Sequence, residues 1–305
     1  MKHLLTIADM TVEEFEKILS LTEKLKKQLK TGVANRTLEG KTLGMIFAKS
    51  STRTRVSFEV GISQLGGMGL FLSSADIQLG RGESIYDTAN VLSRYLNGIM
   101  IRTFKQSDVE DLAKYGTIPV INGLTDEHHP CQALADLFTI YEHKGSLKGK
   151  KLAYIGDGNN VAHSLAEACA KAGMHFAIAA PKGYMCNQEI MENAAAQAKL
   201  TGGSILQTED PVEAIKNADA VYTDTWVSMG QESEKAERVK IFMPYQVNEK
   251  LFANAKEDAI FMHCLPAYRG YEVTEGVIDG KNSVIFDEAE NRLHAQKAVM
   301  AALMA

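Results

Sequence analysis

Residues 42–67 read "TLGMIFAKSSTRTRVSFEVGISQLGG", an apolar run that gives way to a crowd of hydroxyls and guanidiniums and then to a second apolar pattern. That second pattern can be read two ways. Val56, Phe58, Val60 and Ile62 alternate as in a strand, whereas Phe58, Ile62 and Leu65 share one face of a helix. A strand-like run already precedes it and Gly66 and Gly67 supply a stop, so the segment reads as a helix. Strand followed by helix is the repeating unit of a parallel sheet, and the rest of the chain keeps that rhythm. Short runs rich in β-formers, "GIMI", "TIPVI", "KLAYIG", "HFAIAA", "DAVYT", "AIFM" and "SVIF", alternate with amphipathic stretches.

With 305 residues the chain is about two domains long, at roughly 150 residues per domain. The polar stretch "EHKGSLKGKK" after the third run makes a boundary near residue 145. The expected fold class is α/β, with two domains, each a parallel sheet flanked by helices. Lys plus Arg number 33 against 38 Asp plus Glu, a net charge of -5, so nothing favours nucleic acid as a partner. The four cysteines, Cys131, Cys169, Cys186 and Cys264, form no CxxC pair and read as reduced thiols. The N-terminal segment turns acidic too early for a secretory signal, and no apolar stretch reaches the length of a membrane span. A cytoplasmic location is expected.

If "RVSFEVGISQLGG" is helical, Ser51, Thr52 and Thr54 sit at a helix N-terminus, where unpaired N–H groups and the dipole favour an anion. Arg53 adds a planar fork suited to phosphate oxygens. The alternative is a capped helix with solvated arginines. A second helix, "PCQALADLFTIYEHK", carries Leu134, Leu137, Phe138 and Tyr141 on one face and begins at Pro130. His129 and Gln132 flank that start and could donate to one polarised oxygen; a metal site using the paired histidines is the less economical reading. Arg102 ends the run "GIMIR", at the strand end where open parallel sheets bind ligands.

In the second half, "KLAYIGDGNNVAHSLAEACAKAG" invites a dinucleotide-binding reading. Val161 occupies the place of the third glycine, and the next strand ends without the acidic residue a ribose requires. Asn159 and Asn160 at this turn suit a carboxylate or another small polar group. In "DAVYTDTWVSMG", Asp224 could hold an ammonium and the backbone near Ser228 and Met229 could meet a carboxylate. "AIFMHCLPAYRG" brings His263, Cys264 and Leu265 to a further strand end, with Pro266 stiffening the turn.

"SSTRTR", "HHPCQ", "DGNN", "DTWVSMG", "HCLP" and "ENR" stand in the order and approximate spacing of the aspartate/ornithine carbamoyltransferase family, which the whole chain resembles. "DTWVSMG" and "HCLP" resemble its ornithine-accepting branch. The resemblance implies transfer of the carbamoyl group of carbamoyl phosphate to the side-chain amine of L-ornithine, giving L-citrulline and phosphate. That is a step of arginine biosynthesis or, in reverse, of arginine catabolism. It implies that Ser51, Thr52, Arg53, Thr54, Arg102, His129, Pro130, Cys131 and Gln132 bind carbamoyl phosphate, with Cys264, Leu265 and Arg292 completing the set. Gln78 is implied to reach a neighbouring subunit's site, so a homotrimer or an assembly of trimers is expected. Asn160, Asp224, Ser228 and Met229 are implied to bind ornithine, and Arg53, Arg102, His129, Asp224 and Cys264 to serve catalysis. A cis bond between Leu265 and Pro266 is implied as well.

Carbamoyl phosphate is already an activated acyl donor, so neither cofactor nor metal is called for. The architecture expected is a carbamoyl phosphate domain over residues 1–145, an ornithine domain over 146–290, and a C-terminal helix over 291–305 packing back on the first domain. Acetylornithine, putrescine or aspartate as acceptor, a nicotinamide-dependent oxidoreductase, and a catalytically silent binding subunit are the competing readings.

Overall fold

The computed structural model describes residues 1–227 and 232–305. Its strands are β1 (Thr42–Phe47), β2 (Met68–Ser73), β3 (Gly98–Arg102), β4 (Val120–Leu124), β5 (Lys151–Ile155), β6 (His175–Ala179), β7 (Ser204–Thr208), β8 (Ala220–Tyr222) and β9 (Ile260–Met262). They form two parallel sheets, in the orders β2-β1-β3-β4 and β7-β6-β5-β8-β9. Central strands such as β3 are buried along their whole length, which is why they stand out as continuous apolar runs. The edge strands β2 and β7 alternate exposed and half-buried positions and leave a weaker trace, so the sequence reading missed both.

The run "SVIF" is not a strand. Ser283 makes a single bridge to Phe261, and Ile285 already starts the Ile285–Met304 helix. Four apolar residues are too short a signal to separate strand from buried helix start.

The chain divides into two compact units, Met1–Ala135 with Glu290–Ala305, and Asp136–Ala289. The change comes within the Pro130–Lys144 helix, ahead of the polar stretch near residue 145 that composition singles out.

In the first unit the Thr52–Gln64 helix buries Thr54, Ser57, Phe58, Gly61 and Ile62, the spacing of one helical face. Burying Phe58 and Ile62 stabilises the unit by about 2 kcal/mol each. Val56 and Val60, half of the apparent strand alternation, point outward. The C-terminal helix lies so close that a Cβ at Gly61 would come 2.9 Å from Met300 Cε, and Lys297 Nζ donates to Gln64 Oε1 at 2.9 Å. Gly66, at φ +85, ends the turn after the Thr52–Gln64 helix.

In the second unit Tyr154 of β5 and Tyr222 of β8 stack with centroids 5.7 Å apart beneath the strand ends. The turn after β5 needs glycine at 158, where an added Cβ would lie 2.2 Å from the Cys186 nitrogen, and the Gly158 N–H donates to the Tyr184 carbonyl at 2.8 Å. The close approach that a dinucleotide fingerprint would give to a pyrophosphate is taken here by the chain's own backbone. No helix among the described residues is long and apolar enough to cross a membrane.

Candidate active site

Within each unit, most of the described residues singled out in the sequence follow the carboxyl ends of strands, where open parallel sheets present ligand sites. In the first unit Ser51 caps the Thr52–Gln64 helix, its Oγ accepting from Thr54 N at 3.2 Å. Arg102 closes β3, and Pro130 opens the Pro130–Lys144 helix just after His129. Arg292 reaches in from the C-terminal helix: its Nη2 donates to Thr54 Oγ1 at 3.2 Å and its Nη1 to Gln132 Oε1 at 2.5 Å. One buried guanidinium therefore ties together the starts of two helices.

His129 is buried, and its pKa is held well below the ordinary histidine value. Burial is the main cause, followed by the positive charges of Arg292, Arg102 and Arg53. The imidazole is neutral at physiological pH, and the cluster is a cationic pocket with one uncharged N–H donor among three guanidiniums. Such a group can bind a phosphate and polarise a carbonyl without surrendering a proton.

Cys131 plays a quieter part. Its thiol donates to the Asn122 carbonyl at 3.4 Å, and burial pushes its pKa up to about 12. Gln78 is exposed on the Gln78–Arg81 turn and is not among the groups that Arg292 joins.

The second unit holds a different assembly. Asp224 follows β8 and is buried. Its Oδ1 accepts from Cys264 Sγ at 3.1 Å and from Thr225 N at 2.7 Å, while its Oδ2 accepts from Asn159 Nδ2 at 2.9 Å. Burial, then the negative charge of Asp224, raises the Cys264 pKa well above the thiol value, so the group is an S–H donor and not a thiolate. Asn160 is the first residue of the Asn160–Ala172 helix, half-buried beside its cap Asn159. Leu265 joins Pro266 through a cis bond, as the resemblance implies, and Leu265 N donates to His263 Nδ1 at 2.9 Å. Ser228 and Met229 lie outside the described residues.

Beneath this turn is a carboxyl that the sequence did not advertise. Glu288, fully buried, accepts from His263 N at 2.9 Å and from Tyr222 OH at 3.1 Å. Burial, then the charge of Asp136 and the hydrogen bond with it, raises the Glu288 pKa well above the carboxylate range. This buried carboxyl thus pins the strand end that carries Cys264. Glu288 stands between Asp287 and Glu290 at an acidic helix start, and nothing in that pattern marks it for such a role.

Asp224, His263 and Cys264 each offer one metal-ligating atom within 4.8 Å of the others. The groups are already committed elsewhere: the thiol proton bonds Asp224, and His263 bonds Leu265 N through Nδ1 and Glu272 Oε1 through Nε2 at 3.2 Å.

Comparison with known proteins accords with this geometry. Residues 2–142 match the carbamoyl-P binding domain, and residues 148–303 the Asp/Orn binding domain, of aspartate/ornithine carbamoyltransferase. An ornithine carbamoyltransferase of Oceanobacillus iheyensis is 63% identical over 301 residues, covering 99% of this chain and 94% of that protein. Another from Anoxybacillus flavithermus is 60% identical over 303 residues, covering 99% and 96%. The solved ornithine carbamoyltransferase of Pyrococcus furiosus superposes with a TM-score of 0.97 at 57% identity, covering 99% of this chain and 97% of that one. With both domain models matched and identity of this order along its length, the chain belongs to the aspartate/ornithine carbamoyltransferase family.

Proposed function

We propose that the chain transfers the carbamoyl group of carbamoyl phosphate to the side-chain amine of L-ornithine, forming L-citrulline and phosphate. The observation that carries this reading is the buried His129 subject to the charges of Arg53, Arg102 and Arg292, with Arg292 bonded to Thr54 of the helix that Ser51 caps. Thr52, Thr54, Gln132 and the N–H groups after Ser51 complete a cradle for the phosphate. His129 and the guanidiniums offset charge gathering on the carbonyl oxygen and on the leaving phosphate.

The lone pair of the neutral side-chain amine forms the new C–N bond, the C–O bond breaks with its electron pair going to the phosphate oxygen, and the proton that the amine gives up goes to the departing phosphate. Positioning and electrostatics account for most of the rate. Asp224 takes the α-ammonium of ornithine, Asn160 and the backbone around Ser228 and Met229 take its carboxylate, and Cys264 and Leu265 border the reacting centre. With its thiol protonated, Cys264 acts as a donor to Asp224 and not as a nucleophile.

The domain assignment follows: residues 1–145 bind carbamoyl phosphate, 146–290 bind ornithine, and 291–305 return Arg292's helix to the first. The enzyme acts in the cytoplasm as a homotrimer or an assembly of trimers, with Gln78 serving a neighbouring copy. The exposed Val56, Val60, Met68 and Leu70, beside the open edge of β2, supply an apolar face for a second copy of the chain.

Turnover with ornithine, acetylornithine, putrescine and aspartate in parallel, scoring phosphate and carbamoylated product, tests the reading. Citrulline formed selectively from ornithine supports it. Turnover with another amine alone overturns the assignment of Asp224, and no turnover despite carbamoyl phosphate binding leaves a binding protein. Light scattering at micromolar concentration tests the trimer, which a monomer would rule out.

A further inference from the structure

Asp224 does not hold its own position. One oxygen is fixed by Thr225 N and the Cys264 thiol, and the other accepts from Asn159 Nδ2 at 2.9 Å. Asn159 is itself anchored on its opposite atom. Its Oδ1 accepts from Val161 N at 3.0 Å, Ala162 N at 3.2 Å and Tyr154 OH at 3.2 Å. Three donors on Oδ1 fix the amide's orientation and leave the NH₂ group facing the carboxylate.

From this geometry we infer that Asn159 is a positioning residue for ornithine: it braces Asp224 against the start of the Asn160–Ala172 helix, so that the carboxylate meets the substrate ammonium in a fixed orientation. The inference rests on the reading of Asp224 given above. Only an amide does this, because it presents an acceptor and a donor on separate arms. Serine and threonine cap a helix comparably, but a hydroxyl seated over Val161 N and Ala162 N is too short to reach Asp224. Tyr154, stacked on Tyr222, stiffens the anchor from below.

The test compares Asn159→Ser, Asp224→Ala and the double variant, measuring KM for ornithine, kcat, the carbamoyl phosphate Kd and the melting temperature. A charge-assisted hydrogen bond lost without loss of the cap is expected to raise the ornithine KM about tenfold or more. The carbamoyl phosphate Kd and the melting temperature stay near those of the parent. In the double variant the serine adds nothing to Asp224→Ala, because the brace has nothing left to hold.

Two results would overturn the inference: a parent-like ornithine KM for Asn159→Ser while Asp224→Ala is impaired, or effects that multiply in the double variant. An Asp224→Ala enzyme with unchanged ornithine KM fails the underlying reading instead, and is recognised by that variant alone. Asn159→Thr, also a capping residue, serves if the serine variant does not fold.

Discussion

The two polar clusters solve opposite problems. The cluster of the first unit concentrates positive charge: Arg53, Arg102 and Arg292 surround an imidazole kept neutral, and a helix start adds its dipole. The cluster of the second unit centres on one carboxylate, Asp224, wrapped by donors from Cys264, Thr225 and Asn159. The first suits a doubly charged phosphate that must leave. The second suits a cationic amino acid that must be held still. Under the proposed function, several charges share the work in the first cluster and one orientation carries it in the second.

The largest effect is expected where charge meets the reacting atoms. Arg53→Ala should lower turnover by about 10²–10³ and weaken carbamoyl phosphate binding, read by steady-state kinetics; near-normal turnover would dissolve the cationic half of the comparison. Next comes the tight turn of the second unit. Gly158→Ala forces a Cβ to within 2.2 Å of the Cys186 nitrogen and should cost about 2–3 kcal/mol of stability, measured by denaturant unfolding.

A smaller effect separates donor from nucleophile at Cys264. Cys264→Ser keeps a hydrogen to give Asp224, so a loss of no more than about tenfold in kcat/KM is expected, whereas loss of about 10³ or more would mark a covalent role.

The smallest prediction concerns acid stability. Burial lowers the His294 pKa to about 4, below the ordinary 6.5, so the unfolded chain takes up a proton before the folded one does. Stability is full above pH 6.5 and falls as the pH drops toward 4, by about 1 kcal/mol at pH 5.5 from this group. Thermal melts of His294→Gln should show a shallower acid limb; an unchanged one would remove His294 from the account.

Much of this was legible in the sequence, and for a physical reason. "SSTRTR" is contiguous because a helix start presents neighbouring residues to one anion, so a single segment displays the chemistry. Arg102 was legible as a polar residue ending a buried run, and His129 as a polar residue at a helix start. The second cluster was only partly so, since its members come from three loops and their bonds run across the sheet. Asn159 and Asn160 were read as suited to a carboxylate or another small polar group, and Asn159 donates to a carboxylate of the chain itself, Asp224. Glu288 gave no sign at all, because its partners, the His263 N–H and Tyr222 hydroxyl, are set by folding and not by spacing. The edge strands were missed since an exposed strand need not be apolar, and "SVIF" misled since a buried helix start can be.

The most direct test of the division of labour is carbamoyl phosphate binding, by calorimetry, to Arg53→Ala and Asp224→Ala side by side. The account predicts that Arg53→Ala loses most of its affinity while Asp224→Ala binds as the parent does, although it no longer turns over ornithine efficiently. Equal loss in both variants, or loss confined to Asp224→Ala, would contradict it.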